Sequence, residues 1–553
     1  MADNSHKSCG SFTDNDQINS LLIRLVDDVR QFTEGQLNKI KRLNQIGTAL
    51  SAEKNIDRLL EMIVDEARKL TNADGGTLYI MSDDETELNF AIVQNDLLNT
   101  RMGGTCGNIT WPPVKLKNPD GSPNHFNVSA YVALSGKAVN IEDVYNTQGF
   151  NFEGTKKFDQ KTGYRSRSML VVPLCNHESD IIGVLQLLNA QDPLSGKVIN
   201  FSFECREMTL SLASQAAVAL SNNKLIRGLE NLLEAFIQTI ATAIDEKSPY
   251  TGGHVRRVAE LTMTIAQKIN QTTEGYFASI NLTEDQLKEL RMAAWLHDIG
   301  KITTPEHVVD KATRLQTVHD RINEIRLRFE LLKKEYNLDM QKTNADKIGC
   351  NKRSSEEMKS IIKQLDEEYE FLAELNYGNE FTSDKTIERI KAVARRQLSI
   401  GRKKMPLLSE NEISNLSIRR GTLSDQERNI INNHALVTYK MLSLLPFPKK
   451  LHNTAHYAAA HHEKIDGTGY PLRLSEDDLP LQSRIIAIAD IFEALTAKDR
   501  PYKKGKTLAD ALNIMQQMVK DRHIDANLYE LFSKEKIYSD YAQKELAPQQ
   551  IDV

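Results

Sequence analysis

Cysteine is scarce, and what there is does not cluster. Cys9, Cys106, Cys175, Cys205 and Cys350 are five in 553 residues, and none shows the CxxC spacing of a zinc site or a redox pair. They read as free thiols in a reducing compartment, without a disulfide framework. No run of about 18 apolar residues occurs, and the start of the chain, MADNSHKSCGSFTDND, is polar where a signal peptide needs an apolar core. A cytoplasmic protein with no membrane span is expected. An excess of one charge is missing too: 26% of residues are charged but the net charge is only −5. That balance argues against duplex nucleic acid as a partner. No fixed-period repeat is present.

What the sequence does have is length, and a change of pattern along it. A chain of 553 residues exceeds one hydrophobic core and calls for several domains. After a polar leader, Leu21, Leu22, Leu25 and Val29, then Ile56, Leu59, Leu60 and Ile63, predict two amphipathic helices between about 17 and 70. Short β-rich runs follow: GGTLYIM, LNFAIV, SMLVVPL and DIIGVLQLLNA, with a helical ASQAAVA after them. The expectation is a leader and helix over 1–49, an α+β domain over 50–222, and an all-α domain over 245–535 with a tail over 536–553.

Between the two domains, Ile226, Leu229, Leu233, Phe236, Ile240 and Ala243 alternate steps of three and four. This seam predicts a helix over 223–244 forming a short parallel coiled coil, hence a homodimer. A helix packed on its own domain is the competing reading. Inside the C-terminal half, Val318, Ile322, Ile325, Phe329, Leu332 and Tyr336, then Met358, Ile362, Leu365, Tyr369 and Leu372, predict a helical hairpin inserted over 316–421, turning near 344–353.

Histidine numbers only 13, yet five lie among acidic partners in the helical half. His254 follows a Gly-Gly turn, and His297-Asp298 precedes Ile-Gly-Lys. His434 lies mid-helix, His461-His462 opens HHEKIDGTGYP, and Asp490 ends RIIAIAD. Five imidazoles and two carboxylates suit two divalent ions, with a carboxylate able to span both and a shared water acidified between them. On a helix His461 and His462 should point in different directions, and spacing does not decide which holds the second ion. His452 and His456 lack an accompanying carboxylate and read as structural or exposed.

The stretches GGHVRRV, AAWLHDIGKI, the His434 element, HHEKIDGTGYP and SRIIAIADIFEALTAKDRPYKK together resemble the HD-GYP subgroup of the HD phosphohydrolases. The resemblance covers about 245–315 and 422–530. It implies metal-dependent hydrolysis of a bacterial cyclic dinucleotide, cyclic di-GMP or 3′,3′-cyclic GMP-AMP, to a linear dinucleotide. It also implies a metal-ligand set of His254, His297, Asp298, His434, His461, His462 and Asp490, holding iron or manganese. Lys301 would neutralise the scissile phosphate, while Tyr470, Arg500 and Lys503 hold bases and phosphates. Lys311 and Arg314 are expected to add to that field.

Three features depart from the family's pattern. Tyr250 stands where three-metal members carry an acid, so two ions are expected. Ala435 and Thr438 replace a proline and a glycine after His434. The 316–421 insertion could cap the site or meet a protein partner, as could the GYP surface. A catalytically silent cyclic-dinucleotide receptor is the alternative, marked by loss of a ligand, and no ligand position is lost.

Residues 50–222 resemble a GAF domain through FNFEGTKKFDQKTGYRSRSMLVVPLCNHESDIIGVLQLLNA, which implies a regulatory small ligand. Nucleotide-binding relatives carry Asn-Lys and Phe-Asp-Glu signatures, whereas here Asn189 precedes Ala190 and the later segment reads FSFECRE. The ligand is therefore left open.

Overall fold

The computed structural model describes residues 16–246, 252–345, 352–401, 403–498 and 505–553. The chain divides into two compact units between Asn231 and Leu232. Tyr250, Arg500 and Lys503 lie outside the described residues, as do Cys9, Cys350 and most of the expected turn near 344–353.

The first unit opens with helices α1 (Asp16–Ala52) and α2 (Ile56–Thr71), the two that periodicity predicts. Asn55 starts α2 by accepting from the N–H groups of Asp57 and Arg58, so two of its orphan donors are satisfied. A sheet follows: β1 (Ala73–Met81), β2 (Glu87–Asn95), β3 (Thr100–Gly103), β4 (Val114–Lys115), β5 (Val139–Ile141), β6 (Met169–Cys175), β7 (Ile181–Gln191) and β8 (Val198–Ile199). Its order is β3-β2-β1-β7-β6-β5, antiparallel throughout. Helices α3 (Val128–Ser135) and α4 (Glu153–Thr162) lie within the β5-flanking connections, and α5 (Phe203–Asp245) closes the unit.

Strand alternation sends side chains to both faces. Leu78, Leu170, Val172, Leu185 and Leu187 meet Ile63 and Val64 of α2 and Leu212 and Ala216 of α5. Tyr79, Met169, Val171 and Val184 meet Val128 and Val132 of α3 and Phe152 on the other face. Burying both faces is why the β6 and β7 runs are continuously apolar. Asn189 has a structural use. At φ 53° it donates to the Tyr164 hydroxyl and the Arg165 carbonyl and accepts from the Arg167 N–H, while Tyr164 donates to Asp74.

The second unit is helical. After the end of α5 come α6 (His254–Gln271), α7 (Glu284–Leu296) and α8 (Glu306–Val309). The insertion holds α9 (Ile322–Ala345), α10 (Lys352–Asn376), α11 (Asp384–Ala394), the hairpin β9 (Gln397–Ile400) and β10 (Lys403–Pro406), and α12 (Glu410–Leu416). Then follow α13 (Asp425–Ser443), α14 (Thr454–Ala459), α15 (Leu481–Thr496), α16 (Leu508–Lys520), α17 (Ala526–Lys534) and α18 (Ser539–Glu545). Helix α15 is the centre: Ile485, Ile486, Ile488, Ala489 and Phe492 are all buried, so only its ends and a few paired polar groups face anything but core.

Two expectations need correction. The insertion is more than a hairpin, because α9 and α10 share a core with α11, α12 and the β-hairpin through Phe329, Leu365, Ile390, Leu398, Leu407 and Leu416. Val318, expected in the stripe, is 93% exposed ahead of the helix. The 223–244 seam is divided. Leu233 and Ile240, with buried Ile237 and Ile244, pack into the core of the second unit, whereas Ile226, Leu229 and Phe236 stay exposed. The lower half of α5 is therefore spent within its own chain.

Candidate metal centre

Six elements converge on one point. Helix α7 ends in His297, and Asp298 begins a 3-10 turn over Ile299–Thr303. That turn lies so close to α13 that a Cβ at Gly300 would stand 2.0 Å from the His434 carbonyl oxygen, so only glycine fits. His254 is the first residue of α6 and His434 sits mid-way along α13. His461 and His462 occupy a 3-10 turn after α14, and Asp490 comes from α15.

The polar atoms of these residues face one another. His254, His297 and Asp298 form one group whose ligand atoms lie within 4.8 Å of each other, and His434, His461 and His462 form a second. Asp298 joins them: its Oδ2 is 3.4 Å from His254 Nε2 and 3.3 Å from His297 Nε2, and its Oδ1 is 3.2 Å from His434 Nε2. Asp490 Oδ1 is 3.3 Å from His254 Nε2. The expected divergence of His461 and His462 does not occur. Their rings are 4.0 Å apart at 43°, and both join the same group with His434.

A cation fits this donor set. Among the described residues, eight buried side-chain nitrogen or oxygen atoms lack a hydrogen-bond partner, and four of them are here: His297 Nε2, His434 Nε2, His461 Nε2 and Asp298 Oδ1. Buried polar groups are rarely left unpaired, and such a concentration points to an ion. The tautomers agree. The Nδ1 atoms of His297, His434 and His461 lie 2.7, 2.6 and 2.6 Å from the carbonyls of Ala294, Ile431 and Ala458. Donation there leaves each Nε2 with a free lone pair.

Electrostatics favour the ligating form of His461, His462, Asp298 and Asp490. Burial, with His462 and His297 nearby, holds His461 well below the usual imidazole value, and burial beside His434 holds His462 down to about 3. Both are neutral at physiological pH. Burial opposes charge on Asp298, but Lys301 and His297 outweigh it and keep the carboxyl well below its ordinary range. Burial opposes charge on Asp490 as well, and His254 reverses the balance. His254 and His297 are raised, burial being overcome by Glu493 for the first and Asp298 for the second.

Around the centre, Lys301 Nζ is 2.5 Å from Asp298 Oδ2 and one-third exposed. The Tyr470 ring lies 4.8 Å from that of His462, and burial pushes its phenol up, so it stays a donor. The loop carrying Tyr470 is anchored by Glu463, which accepts from the N–H groups of Leu472, Arg473 and Leu474. Asp245, the last residue of α5, accepts from the Val255 N–H, next to His254.

Other expected residues lie elsewhere. Lys311 is buried, its Nζ 2.8 Å from both Glu427 oxygens and 3.2 Å from Asn415. Glu427 precedes His434 by two helical turns, about 10 Å. Arg314 is fully buried and donates to the carbonyls of Gly421, Leu416 and Glu380. Both cations hold the insertion in place instead of facing a substrate. His452 is exposed, as expected. Sequence reasoning missed Glu493 and Arg257, although each follows a ligand by three residues and so shares its helix face.

Comparison with known proteins agrees with this division. The GAF domain family matches residues 55–220, and two HD domain families match 251–390 and 357–528. The chain thus carries one region that matches a GAF domain and a following region that matches HD domains. It is 43% identical over 98 residues to 3'3'-cGAMP-specific phosphodiesterase 3 of Vibrio cholerae, covering 18% of this chain and 20% of that one. A cyclic di-GMP phosphodiesterase of Pseudomonas aeruginosa is 34% identical over 120 residues, covering 21% and 26%. One of Thermotoga maritima is 35% identical over 101 residues, covering 18% and 27%. The chain thus matches about a quarter or less of the length of these curated relatives.

Proposed function

We propose that this chain is a metal-dependent phosphodiesterase that hydrolyses a bacterial cyclic dinucleotide, cyclic di-GMP or 3′,3′-cyclic GMP-AMP, to the linear dinucleotide. The observation that carries the reading is the placement of Asp298 between two histidine groups, one oxygen toward each. His254, His297, Asp298 and Asp490 would hold one divalent ion, and His434, His461 and His462 with Asp298 a second, iron or manganese in each case. Such a pair of ions supplies Lewis-acid stabilisation of a phosphodiester and acidifies the attacking water.

The chain's own residues supply the rest. Lys301 adds a cation beside Asp298, where charge grows on the non-bridging phosphate oxygens. Tyr470 offers a ring for a base and a phenolic donor for a phosphate. Arg500 and Lys503 are proposed for the same phosphates. Names of relatives favour a cyclic dinucleotide over a nucleoside monophosphate.

A small ligand of the GAF domain would regulate turnover through α5, whose last residue Asp245 caps the helix that begins with His254. Exposed Leu225, Ile226, Leu229, Leu232 and Phe236 make the upper part of α5 the proposed homodimer seam in the cytoplasm. A protein partner could meet the insertion or the GYP surface. The test is an anaerobic assay of the iron- or manganese-loaded chain with cyclic di-GMP, 3′,3′-cyclic GMP-AMP and GMP. Linear product from a cyclic dinucleotide supports the reading. Binding without turnover would favour a silent receptor, and turnover of GMP alone a nucleotidase.

A further inference from the structure

We infer that Glu493 is a positioning residue for His254, doing for that imidazole what a backbone carbonyl does for His297, His434 and His461. The inference rests on the metal-centre reading above and deepens it. His297, His434 and His461 each turn Nδ1 to the carbonyl three residues earlier on their own segment, Ala294, Ile431 and Ala458. His254 differs from these three. It opens α6 directly after Gly253 at φ +83°, and its Nδ1 faces a carboxylate.

Glu493 fills that role from another helix. Its Oε2 is 2.5 Å from His254 Nδ1, and its Oε1 accepts from Arg257 Nε at 2.7 Å. Glu493 is 1% exposed on its side chain and Arg257 8%, and an unpaired charge there would be costly. Arg257 balances the carboxylate and fixes its plane. The plane in turn aims His254 Nε2 at Asp298 and Asp490, 3.4 and 3.3 Å away. The spacing makes this a matched pair: His254 and Arg257 are one turn apart on α6, and Asp490 and Glu493 one turn apart on α15.

The consequence is an unequal pair of ion sites. Carbonyl-held imidazoles keep their orientation as long as their own helices persist. His254 keeps its orientation only while α6 and α15 stay in register, and its carboxylate partner makes it the more basic donor. Loss of Glu493 should therefore weaken the ion held by His254, His297, Asp298 and Asp490 and spare the one held by His434, His461 and His462.

Manganese binding to the chelator-stripped full chain tests this by calorimetry, with bound ion counted by elemental analysis. Glu493→Gln keeps the volume and removes the charge; Glu493→Ala removes both. The expected result is a ten- to hundredfold weaker Kd for one ion in either variant, with the second ion bound as in the parent chain. Arg257→Lys, which keeps the cation, should change that Kd less than Glu493→Gln does. Thermal unfolding without metal reports whether each variant is folded. Unchanged affinity for both ions in folded Glu493→Gln overturns the inference, as does equal weakening of both. A parent chain that binds no manganese would overturn the metal-centre reading itself.

Discussion

The hydroxyl of Thr438 donates to the backbone carbonyl of His297 at 3.1 Å. The same oxygen accepts from the Gly300 N–H at 3.0 Å, so one side chain on α13 clamps both ends of the turn that carries His297 and Asp298. The threonine stands where the resembled family usually has a glycine, and it has a use that sequence comparison alone left open. Thr438→Val keeps the shape and leaves the Gly300 N–H and the His297 carbonyl buried without a partner. The expected cost is about 1–3 kcal/mol of stability, measured by urea unfolding of the metal-free chain, with turnover falling more than tenfold.

Gly300→Ala tests the closeness of the same contact. The new Cβ would meet the His434 carbonyl at 2.0 Å and the Thr438 nitrogen at 2.7 Å, and both are backbone atoms of a helix that cannot give way. Displacing α13 from the turn moves His434 away from Asp298. A loss of about 3 kcal/mol is expected, together with loss of bound ion by elemental analysis. A variant with parental stability and ion content would contradict the packing described.

Glu463→Ala separates substrate binding from metal binding. The carboxylate anchors three N–H groups at Leu472, Arg473 and Leu474, and a Cβ at Gly469 would stand 2.5 Å from the Glu463 Cα. Removal frees the loop behind Tyr470 at a cost of about 3 kcal/mol. Kinetics with a cyclic dinucleotide should show KM raised about tenfold or more, with ion content unchanged.

Acid should loosen the insertion before neutral pH does. Burial raises the Glu427 carboxyl, but the hydrogen bond from Lys311 outweighs it and holds the group below the ordinary glutamate range. A depressed folded value means that the stability it contributes is fully present above the unfolded value and is lost as pH falls through the folded one. Below about pH 4.5 the parent chain should therefore lose stability progressively, and Glu427→Gln should lose less of it over the same range. Thermal unfolding between pH 6 and 3 measures the difference.

The legible parts of the structure were those written in local pattern. GGTLYIM and DIIGVLQLLNA gave strands because β-branched and apolar runs of that length, bounded by turns, have few other uses. His297-Asp298, His461-His462 and Asp490 were legible as a constellation because scarce residue types recurred beside acids. What stayed hidden depends on tertiary contact. Glu493 sat in plain view one turn after Asp490, but nothing in its own segment says that α15 would meet α6 at His254. Lys311 and Arg314 looked like free cations near the HD turn. Their partners, Glu427 and the carbonyls of Leu416 and Gly421, lie more than a hundred residues on and become neighbours only through the insertion's own core. The seam on α5 was periodic throughout, and periodicity does not say whether Ile237 faces a second copy or its own domain.

The bridging position of Asp298 is the centre of the account, and one measurement addresses it directly: manganese bound per chain, with cyclic di-GMP and 3′,3′-cyclic GMP-AMP turnover assayed in parallel, for the parent, Asp298→Ala and His434→Ala. The account predicts two ions and linear dinucleotide from the parent, weakened binding of both ions with no turnover in Asp298→Ala, and selective loss of one ion in His434→Ala. Asp298→Ala retaining two tightly bound ions, or hydrolysing either substrate at the parental rate, would contradict it.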